Sequence, residues 1–172
     1  AHPERRVALR TLDVTDPDQV PVVFEELRAE LGGLDRVVVN AGLGKGAALG
    51  TGQAAANRET ATTNFLGALA QTEAAMEVFR AQRSGHLVMV SSMSAMRGMP
   101  KSMTTYAATK IGAAFLAEGL RTELHGTELG RTVDVTVLYP GYIASELTEA
   151  LTHRNPHDHC WGSGLHSSKS AS

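Results

Sequence analysis

Apolar and polar positions along the chain follow two alternating patterns, which together predict strands separated by helices. Short apolar runs, of which 34–39 is rich in β-branched residues, are typical of buried strands. The predicted strands are Val7–Leu12, Leu34–Val39, His86–Val90 and Val133–Leu138. Between them, apolar residues recur at helical spacing. The predicted helices run from the Thr15–Gln19 segment to Leu31, from about Asn57 to Arg83, and from about Thr104 to His125.

The first predicted helix carries signals at both ends. Asp16 can cap the free backbone amides, and Pro17 suits the first helical position. Gln19 completes a pattern similar to a capping box. Gly32-Gly33 then supplies the glycine at which many helices end. These signals predict a helix that begins just after Asp16 and ends at Gly32.

The alternation of strands and helices predicts an α/β fold with a parallel sheet and right-handed crossovers. In such sheets, ligand-binding groups gather at the carboxyl ends of the strands. Polar or glycine-containing segments follow each predicted strand: Asp13, Asn40-Ala41-Gly42, Ser91-Ser92 and Pro140-Gly141. The sequence therefore predicts a ligand site at the carboxyl edge of the sheet.

Composition narrows the class of protein. The 172 residues suit one domain. Sixteen basic and eighteen acidic side chains give a formal charge of −2 without a basic patch, so no nucleic-acid partner is expected. No apolar run reaches the roughly 18 residues of a membrane span, and the first residues lack the apolar core of a signal peptide. Cys160 is the only cysteine, so no internal disulfide can form and a reducing, cytoplasmic location is the expectation.

Tyr106 and Lys110 stand four residues apart, which places them on the same face of a helix. A tyrosine has an ordinary pKa of about 10, and lowering it to roughly 7 takes about 4 kcal/mol. One positive charge at about 4 Å supplies an energy of that order at an effective dielectric constant near 20. This spacing can therefore make the phenol a general acid and base. The same spacing also occurs in helices as a half-buried ring beside a solvated amine.

Six short segments stand in a fixed order along the chain. They are Leu12-Asp13-Val14, Asn40-Ala41-Gly42, Asn64-Phe65-Leu66-Gly67, Val90-Ser91-Ser92, Tyr106-Ala107-Ala108-Thr109-Lys110 and Pro140-Gly141-Tyr142-Ile143. In this order they resemble the short-chain dehydrogenase/reductase family, from about Val7 to Leu147. The resemblance implies a Rossmann-type, doubly wound parallel sheet in three α/β/α layers. It also implies an oxidoreductase that uses NAD or NADP to interconvert a small-molecule alcohol and carbonyl, as a homodimer or homotetramer.

By this resemblance, four residues form a proton-transfer tetrad. Tyr106 gives its proton to the carbonyl oxygen in reduction, or takes the hydroxyl proton in oxidation. Lys110 lowers the tyrosine pKa and holds the nicotinamide ribose. Ser92 hydrogen-bonds the substrate oxygen, and Asn64 supports a water-linked relay to the lysine. These roles are physically consistent, because the protein has only to orient the cofactor and manage charge on the oxygen.

The resemblance also implies a set of cofactor contacts. Asp13 and Val14 resemble the pair that contacts the adenine, and Asn40-Ala41-Gly42 brings backbone close to the adenosine ribose side. Tyr106 and Lys110 lie at the nicotinamide end. Pro140-Gly141-Tyr142-Ile143 resembles the segment whose backbone meets the nicotinamide carboxamide. Ser145 stands where family members often carry threonine.

Several of these assignments have simpler alternatives. Ser91 competes with Ser92, although the alignment of the glycines on either side favours Ser92 and leaves Ser91 as a packed or backbone-bonded hydroxyl. Ser94 is the third choice. Asn64 could be a polar residue that faces solvent, and Asp13 a helix-flanking carboxylate. Asn40-Ala41-Gly42 could be an ordinary strand-end turn.

The family's glycine-rich pyrophosphate fingerprint is absent from this sequence, which resembles the family from just before its third strand. In the strand order 3-2-1-4-5-6, the first two strands separate the third from the fourth. The predicted strand at Val7 therefore has no neighbour inside the sheet, and the strand at Val37 becomes an open apolar edge.

Residues 1–150 are predicted to form a partial Rossmann-type dehydrogenase domain, and residues 151–172 a disordered or non-homologous tail. The His and Cys residues of this tail could bind a metal, but they show no regular ligand spacing, so no metal site is assigned. Three readings of the whole remain open. The chain belongs to an active enzyme of which it is only part, or it is an inactive, truncated homologue that acts by pairing with another chain. The third reading is a metal-binding tail on an inactive remnant.

Overall fold

The structure is a computed structural model that describes residues 6–141. In chain order the elements are α1 (Gln19–Leu31), β1 (Arg36–Val39), α2 (Ala54–Ala61), a π-helical turn (Thr62–Leu66), α3 (Gly67–Gln82), β2 (Gly85–Val90), a 3-10 turn (Met93–Met96), α4 (Met103–Leu124), a second 3-10 turn (Leu129–Arg131) and β3 (Val133–Leu138). Strands and helices therefore alternate, as the sequence predicts.

The three strands form one parallel sheet in the order β1-β2-β3. Val37 lies beside Leu87, and Leu87 lies beside Val135, so strands that follow each other along the chain are neighbours in the sheet. Because all three strands run in the same direction, their carboxyl ends meet at one edge. The Ser91 amide donates to the Leu138 carbonyl at 2.8 Å, which joins the ends of β2 and β3.

One face of the sheet carries the hydrophobic core. Val39, Leu87 and Val133, one from each strand, are buried there together with Phe79 of α3. Side chains alternate between the two faces of a strand, so the neighbours of these residues point the other way. Val38 on that opposite face is 53% exposed. Within residues 6–141, β1 is an edge strand with a partner on one side only, as predicted.

The end signals of α1 work only in part as the sequence predicts: the helix begins at Gln19, so Pro17 lies before its first residue and not at it. Asp16 Oδ1 accepts from the amides of Asp18 and Gln19 at 3.1 and 3.2 Å, so it caps the free amides of the first turn. Gln19 differs from a true capping box, because its side chain accepts from the Asp13 amide at 2.8 Å. The helix ends at Gly32, whose φ of 87° is the left-handed conformation that glycine adopts without strain.

The predicted strand Val7–Leu12 is wrong. This segment has no regular secondary structure, and Val7 and Leu9 are strongly exposed. A strand exists only through hydrogen bonds to a neighbour, and among the described residues no strand lies beside this segment. Ion pairs hold it against α1 instead: Arg10 contacts Glu26 at 2.7 Å and Glu30 at 2.6 Å.

The predicted helix from Asn57 to Arg83 is interrupted. It begins earlier, at Ala54, and contains the π-helical turn Thr62–Leu66 between α2 and α3. The turn inserts an extra residue into an otherwise helical segment, and no residue type marks its position, so the sequence pattern did not reveal it. Such turns are frequent at functional sites, and this one carries Asn64.

Several predictions lie outside the described residues. The boundary between residues 150 and 151, the tail with Cys160, and the site candidates Tyr142, Ile143 and Ser145 all belong to this group. Within residues 6–141, no three His, Cys, Asp or Glu side chains are placed to hold a metal ion. No helix in this part of the chain is both long and apolar enough to cross a membrane.

Candidate active site

Tyr106 and Lys110 lie one turn apart on α4, close to the carboxyl edge of the sheet. Both residues are buried, with exposed fractions of 9% and 5%. Lys110 Nζ lies 6.0 Å from the centroid of the Tyr106 ring. The amine is therefore not the solvated surface group of the simpler alternative, and it lies near enough to the phenol to influence the charge that develops there.

Burial lowers the pKa of Lys110 below its ordinary value of 10.5, because the ammonium loses hydration when it leaves water. Lys110 Nζ donates a hydrogen bond to the Val90 carbonyl oxygen at 3.0 Å, which ties α4 to the end of β2. An ammonium with a lowered pKa gives up its proton more readily than a surface lysine does. Lys110 therefore suits proton transfer as well as electrostatic stabilisation.

Gly42, just after β1, leaves room for this amine. A Cβ atom at Gly42 would lie 3.2 Å from Lys110 Nζ and 3.3 Å from Asn64 Oδ1. Both distances are tighter than ordinary van der Waals contact, so any side chain here would displace one group or the other. The lack of a side chain at Gly42 brings the end of β1, the lysine and Asn64 together.

Asn64 is a buried hydrogen-bonding centre, with an exposed fraction of 1%. Its Oδ1 accepts from the Leu43 amide at 2.8 Å, and its Nδ2 donates to the Leu43 carbonyl at 2.9 Å. The side chain therefore satisfies both backbone groups of Leu43 in the loop after β1. This burial excludes the alternative in which Asn64 faces solvent.

Thr109 connects Asn64 to the helical turn of Tyr106. Asn64 Nδ2 donates to Thr109 Oγ1 at 3.3 Å, and Thr109 Oγ1 donates to the Tyr106 carbonyl at 2.7 Å. Thr109 is itself buried. The π-helical turn and α4 are thus joined by side-chain hydrogen bonds at the helical turn that carries Tyr106 and Lys110.

Ser91 and Ser92 are adjacent but differ in environment. Ser91 is buried, and its Oγ donates to the Lys110 carbonyl at 2.7 Å, so its hydroxyl is bonded to the backbone. Ser92 is half-buried, and its Oγ accepts from both the amide and the hydroxyl of Ser94, at 3.1 and 2.9 Å. The proton of the Ser92 hydroxyl thus remains available for a ligand at the carboxyl edge.

Asp13 and Val14 lie in the turn before α1. Asp13 Oδ1 accepts from the Thr15 amide at 2.9 Å and from the Thr15 hydroxyl at 2.8 Å, and these hydrogen bonds lower the pKa of the exposed carboxyl. Val14 packs on α3 at Gly67, where an added Cβ would lie 2.8 Å from Val14 Cγ2. Gly67 therefore lets this turn lie directly on the helix that follows Asn64. The turn suits a helix-flanking carboxylate, and the adenine contact stays a prediction.

The segments after β1 and β3 also reach the carboxyl edge. Asn40 is exposed where β1 ends, and Ala41 is half-buried. Pro140 accepts a hydrogen bond from the Met93 amide at 3.0 Å, which places it beside the segment that follows Ser92. Gly141 is exposed next to Met93. The roles of these residues toward a cofactor stay predictions.

One further polar centre escaped the sequence reasoning. Asn57 Oδ1 accepts from the Ala47 amide at 2.9 Å and from the Thr105 hydroxyl at 3.1 Å. It fixes the glycine-rich loop after β1 to the residue before Tyr106. Gly46 in the same loop packs so closely on the Ser102 carbonyl that a Cβ would not fit. A backbone partner leaves no mark in sequence, so only the density of glycines hinted at this close contact.

The sequence matches the short chain dehydrogenase family over residues 1–156. This match spans most of the chain, and the protein therefore belongs to that family. The parallel sheet and its helices are the corresponding part of the family's Rossmann-like fold, so the predicted fold class is confirmed.

Two relatives illustrate the similarity in sequence. An uncharacterized oxidoreductase of Mycobacterium tuberculosis is 48% identical over 147 residues, which make up 86% of this chain and 56% of that protein. The Mycobacterium avium protein named 3-oxoacyl-(acyl-carrier-protein) reductase MabA is 34% identical over 142 residues, 83% of this chain and 54% of the relative. The chain thus spans about half the length of the curated relatives it matches.

Solved structures show the same fold. A gluconate 5-dehydrogenase from Burkholderia cenocepacia, in complex with NADP and tartrate, has a TM-score of 0.73 at 26% identity. The match covers 82% of this chain and 53% of that one. Levodione reductase has a TM-score of 0.74 at 24% identity, over 84% of this chain and 55% of that one, which shows the fold alone.

Proposed function

We propose that the protein is an NAD(P)-dependent oxidoreductase that interconverts an alcohol and a carbonyl by hydride transfer. The observation that supports this most strongly is the buried Tyr106–Lys110 pair at the carboxyl edge of a parallel sheet. A buried ammonium is costly for stability, because it loses hydration. Ionisable groups in such unfavourable places cluster at functional sites, where the cost serves the chemistry.

Tyr106 is the proposed acid and base. In reduction its hydroxyl gives a proton to the substrate oxygen, and in oxidation its phenolate takes the proton of the substrate hydroxyl. The nearby Lys110 ammonium favours the phenolate. Ser92 Oγ hydrogen-bonds the same substrate oxygen and stabilises the negative charge that develops on it. The nicotinamide, when bound, supplies or accepts the hydride.

Asn64 is the proposed support for a water-linked proton relay to Lys110. Leu43 and Thr109 hold its amide in one orientation, and Oδ1 lies on the same side of Gly42 as Lys110 Nζ. A fixed amide can orient a water without losing conformational entropy at the moment of reaction. The relay would return a proton to Tyr106 after each reduction and remove one from it after each oxidation.

The residues present fit the nicotinamide half of a dinucleotide. Gly42 lets the Lys110 amine lie against the backbone after β1, where a Cβ would come within 3.2 Å of Nζ, and we place the nicotinamide ribose against Lys110. Asp13 and Val14 would meet the adenine, and Asn40-Ala41-Gly42 the adenosine ribose side. Pro140-Gly141-Tyr142-Ile143 and Ser145 would meet the carboxamide. The residue that selects NAD or NADP follows the family's second strand, which this sequence does not include.

A second candidate is a catalytically inactive homologue that acts by pairing with another chain. The unpaired side of β1, seen within residues 6–141, supports it, because an open strand edge can accept a strand from a second molecule, and the exposed Val38 adds apolar surface beside it. The two candidate functions differ in whether the protein must bind a dinucleotide, which a binding experiment can measure. An oxidoreductase must bind a dinucleotide, whereas a pairing module need not.

We also propose a homodimer or homotetramer that packs through α3 and α4. A surface groove of about 520 Å³ runs between these helices, and Phe115 on its rim is 63% exposed. Covering a large aromatic side chain by a second copy would remove apolar surface from water. Light scattering should therefore give an oligomer that Phe115→Glu converts to a monomer. A monomer for the unmodified protein would refute this assembly.

Residues 1–150 are the proposed dehydrogenase part, with 151–172 as a separate tail. Limited proteolysis should then trim the tail first and leave the remainder intact. A cut inside the first 150 residues before the tail is lost would contradict the boundary. The single cysteine supports a reducing, cytoplasmic location.

Titration with NADH and NADPH, followed by nicotinamide fluorescence, tests the proposed function. Saturable binding by a folded sample is expected, and its absence would favour the pairing module. Turnover would then be screened on ketones and secondary alcohols. Gluconate and 3-oxoacyl thioesters come first, because the names of two relatives indicate such compounds. Pairing is measured separately, by comparing the mass in solution of the unmodified protein with that of a Val38→Lys variant. The lysine should block the strand edge, so a pairing module should lose mass in the variant.

A further inference from the structure

Ser94 fills the acceptor positions of Ser92. The Ser94 amide nitrogen lies 3.1 Å from Ser92 Oγ and the Ser94 hydroxyl lies 2.9 Å from it, both as donors. A serine hydroxyl has one proton to donate and two lone pairs that can accept. Both lone pairs of Ser92 are therefore occupied, and only its proton remains for another partner.

We propose that Ser94 is a positioning residue that makes Ser92 a hydrogen-bond donor toward the substrate oxygen. What Ser92 binds rests on the proposed function, whereas the contact between the two serines does not. A Ser92 hydroxyl with free lone pairs could accept the proton of a substrate alcohol and compete with Tyr106 for it. With those lone pairs occupied, the alcohol directs its proton to Tyr106, while Ser92 donates to the same oxygen.

The same arrangement assists the reduction. The Ser92 proton points to the carbonyl oxygen, where negative charge develops during hydride addition. A hydroxyl that accepts hydrogen bonds also becomes a stronger donor, because chains of hydrogen bonds polarise one another. Ser94 therefore acts through Ser92 and has no contact with the reacting atoms itself.

The backbone keeps the two serines in place without a ligand. Ser92 is extended at the start of the 3-10 turn Met93–Met96, and its carbonyl accepts from the Ala95 amide at 3.0 Å. The Met93 amide donates to the Pro140 carbonyl at 3.0 Å, and Ala95 is buried. A donor that is already ordered costs little conformational entropy when substrate binds. Ser91 cannot take this role, since its proton is bonded to the Lys110 carbonyl.

A thiol at position 92 tests the contact without requiring turnover. Cys160→Ser removes the only natural cysteine, and Ser92→Cys then places a sulfur where the Ser94 donors point. Donors favour the thiolate and so lower the thiol pKa. Adding Ser94→Ala should raise that pKa by about one unit, whereas Ser94→Thr should leave it within a few tenths. An unchanged thiol pKa in the Ser94→Ala variant, measured by thiolate absorbance, would overturn the inference.

Turnover gives an independent test, measured in the chain that keeps Ser92 and Cys160. Ser94→Ala should lower kcat about tenfold and leave the dinucleotide Kd unchanged. Ser94→Thr should restore most of the lost kcat. The control Ser84→Ala, at an exposed serine, should change neither kcat nor Kd. Full kcat in Ser94→Ala, with turnover lost in Tyr106→Phe, would overturn the role of Ser94 and leave the proposed function intact. Turnover retained in Tyr106→Phe would instead overturn the proposed function, and the thiol measurement would still decide whether Ser94 holds position 92.

Discussion

Replacing Asn64 with leucine should destabilise the protein far more than replacing a surface amide. The Asn64 side chain is fully enclosed and makes three hydrogen bonds, two with the backbone of Leu43 and one with Thr109 Oγ1. Leucine has a similar size but no polar atoms. The substitution therefore leaves the amide and the carbonyl of Leu43 without their partners.

The expected loss follows from those two backbone groups. Each buried polar group that loses its partner costs about 1–3 kcal/mol, so the pair costs about 2–6 kcal/mol. Leu43 is half-buried, which lets water replace part of the lost bonding. We therefore expect a loss of about 2–4 kcal/mol in the free energy of unfolding, out of a total of about 5–15 kcal/mol for a typical domain.

Urea unfolding followed by circular dichroism measures this loss. Gln53→Leu is the matched control, because it removes an exposed amide and should change the unfolding free energy by less than about 0.5 kcal/mol. Asn64→Asp should fall between the two, since it keeps the acceptor for the Leu43 amide and loses the donor to the carbonyl. If Asn64→Leu costs less than about 1 kcal/mol, the loop after β1 does not depend on Asn64 and the reasoning fails.

Three other substitutions probe the core, the buried charge and the cofactor surface. Gly85→Ala should cost about 1–3 kcal/mol because its Cβ would collide with the fully buried Phe79 ring, and an unchanged urea midpoint would contradict this. In the parent, the folded state holds the Lys110 proton less tightly than the unfolded state, so the penalty of burying the ammonium is full below the folded-state pKa and disappears as pH rises from that pKa toward 10.5. The stability of Lys110→Met relative to the parent should therefore fall as pH rises over that range, and a pH-independent difference would refute it. Gly42→Ala should weaken dinucleotide binding by crowding the Lys110 amine, and an unchanged Kd would argue against the placement of the ribose.

The elements that sequence predicted correctly are those with a local signal. The β-branched run Val133–Leu138 is a strand with the predicted bounds, and α1 ends at the predicted glycine, Gly32. In both cases, neighbouring residues alone carry the information. Alternation and capping depend on the backbone within a few residues.

The misses have a non-local or geometric cause. Val7–Leu12 has the composition of a strand, but a strand also needs a neighbour, and the described residues provide none. The π-helical turn Thr62–Leu66 inserts one residue into an otherwise helical segment, and no residue type marks its position. Neither feature can be recognised from the order of apolar and polar residues.

The candidate site also contains residues with a local sequence signal and residues without one. Tyr106 and Lys110 could be proposed because they stand at a recognisable spacing, and Ser92 because its segment resembles the family. The roles of Leu43 and Thr109 could not be found, because a backbone partner can be any residue and a threonine in a helix is usually unremarkable. The structure adds the contacts that hold the candidates in place.

The most direct test of the proposed chemistry compares the parent with Tyr106→Phe in the same preparation. The phenylalanine keeps the ring, whose centroid lies 6.0 Å from Lys110 Nζ, and removes only the hydroxyl that is proposed to transfer the proton. Dinucleotide binding should stay nearly unchanged in the variant, while turnover of a carbonyl substrate falls by about 10²–10⁴-fold, the usual contribution of a general acid. Substantial turnover in Tyr106→Phe would contradict the account.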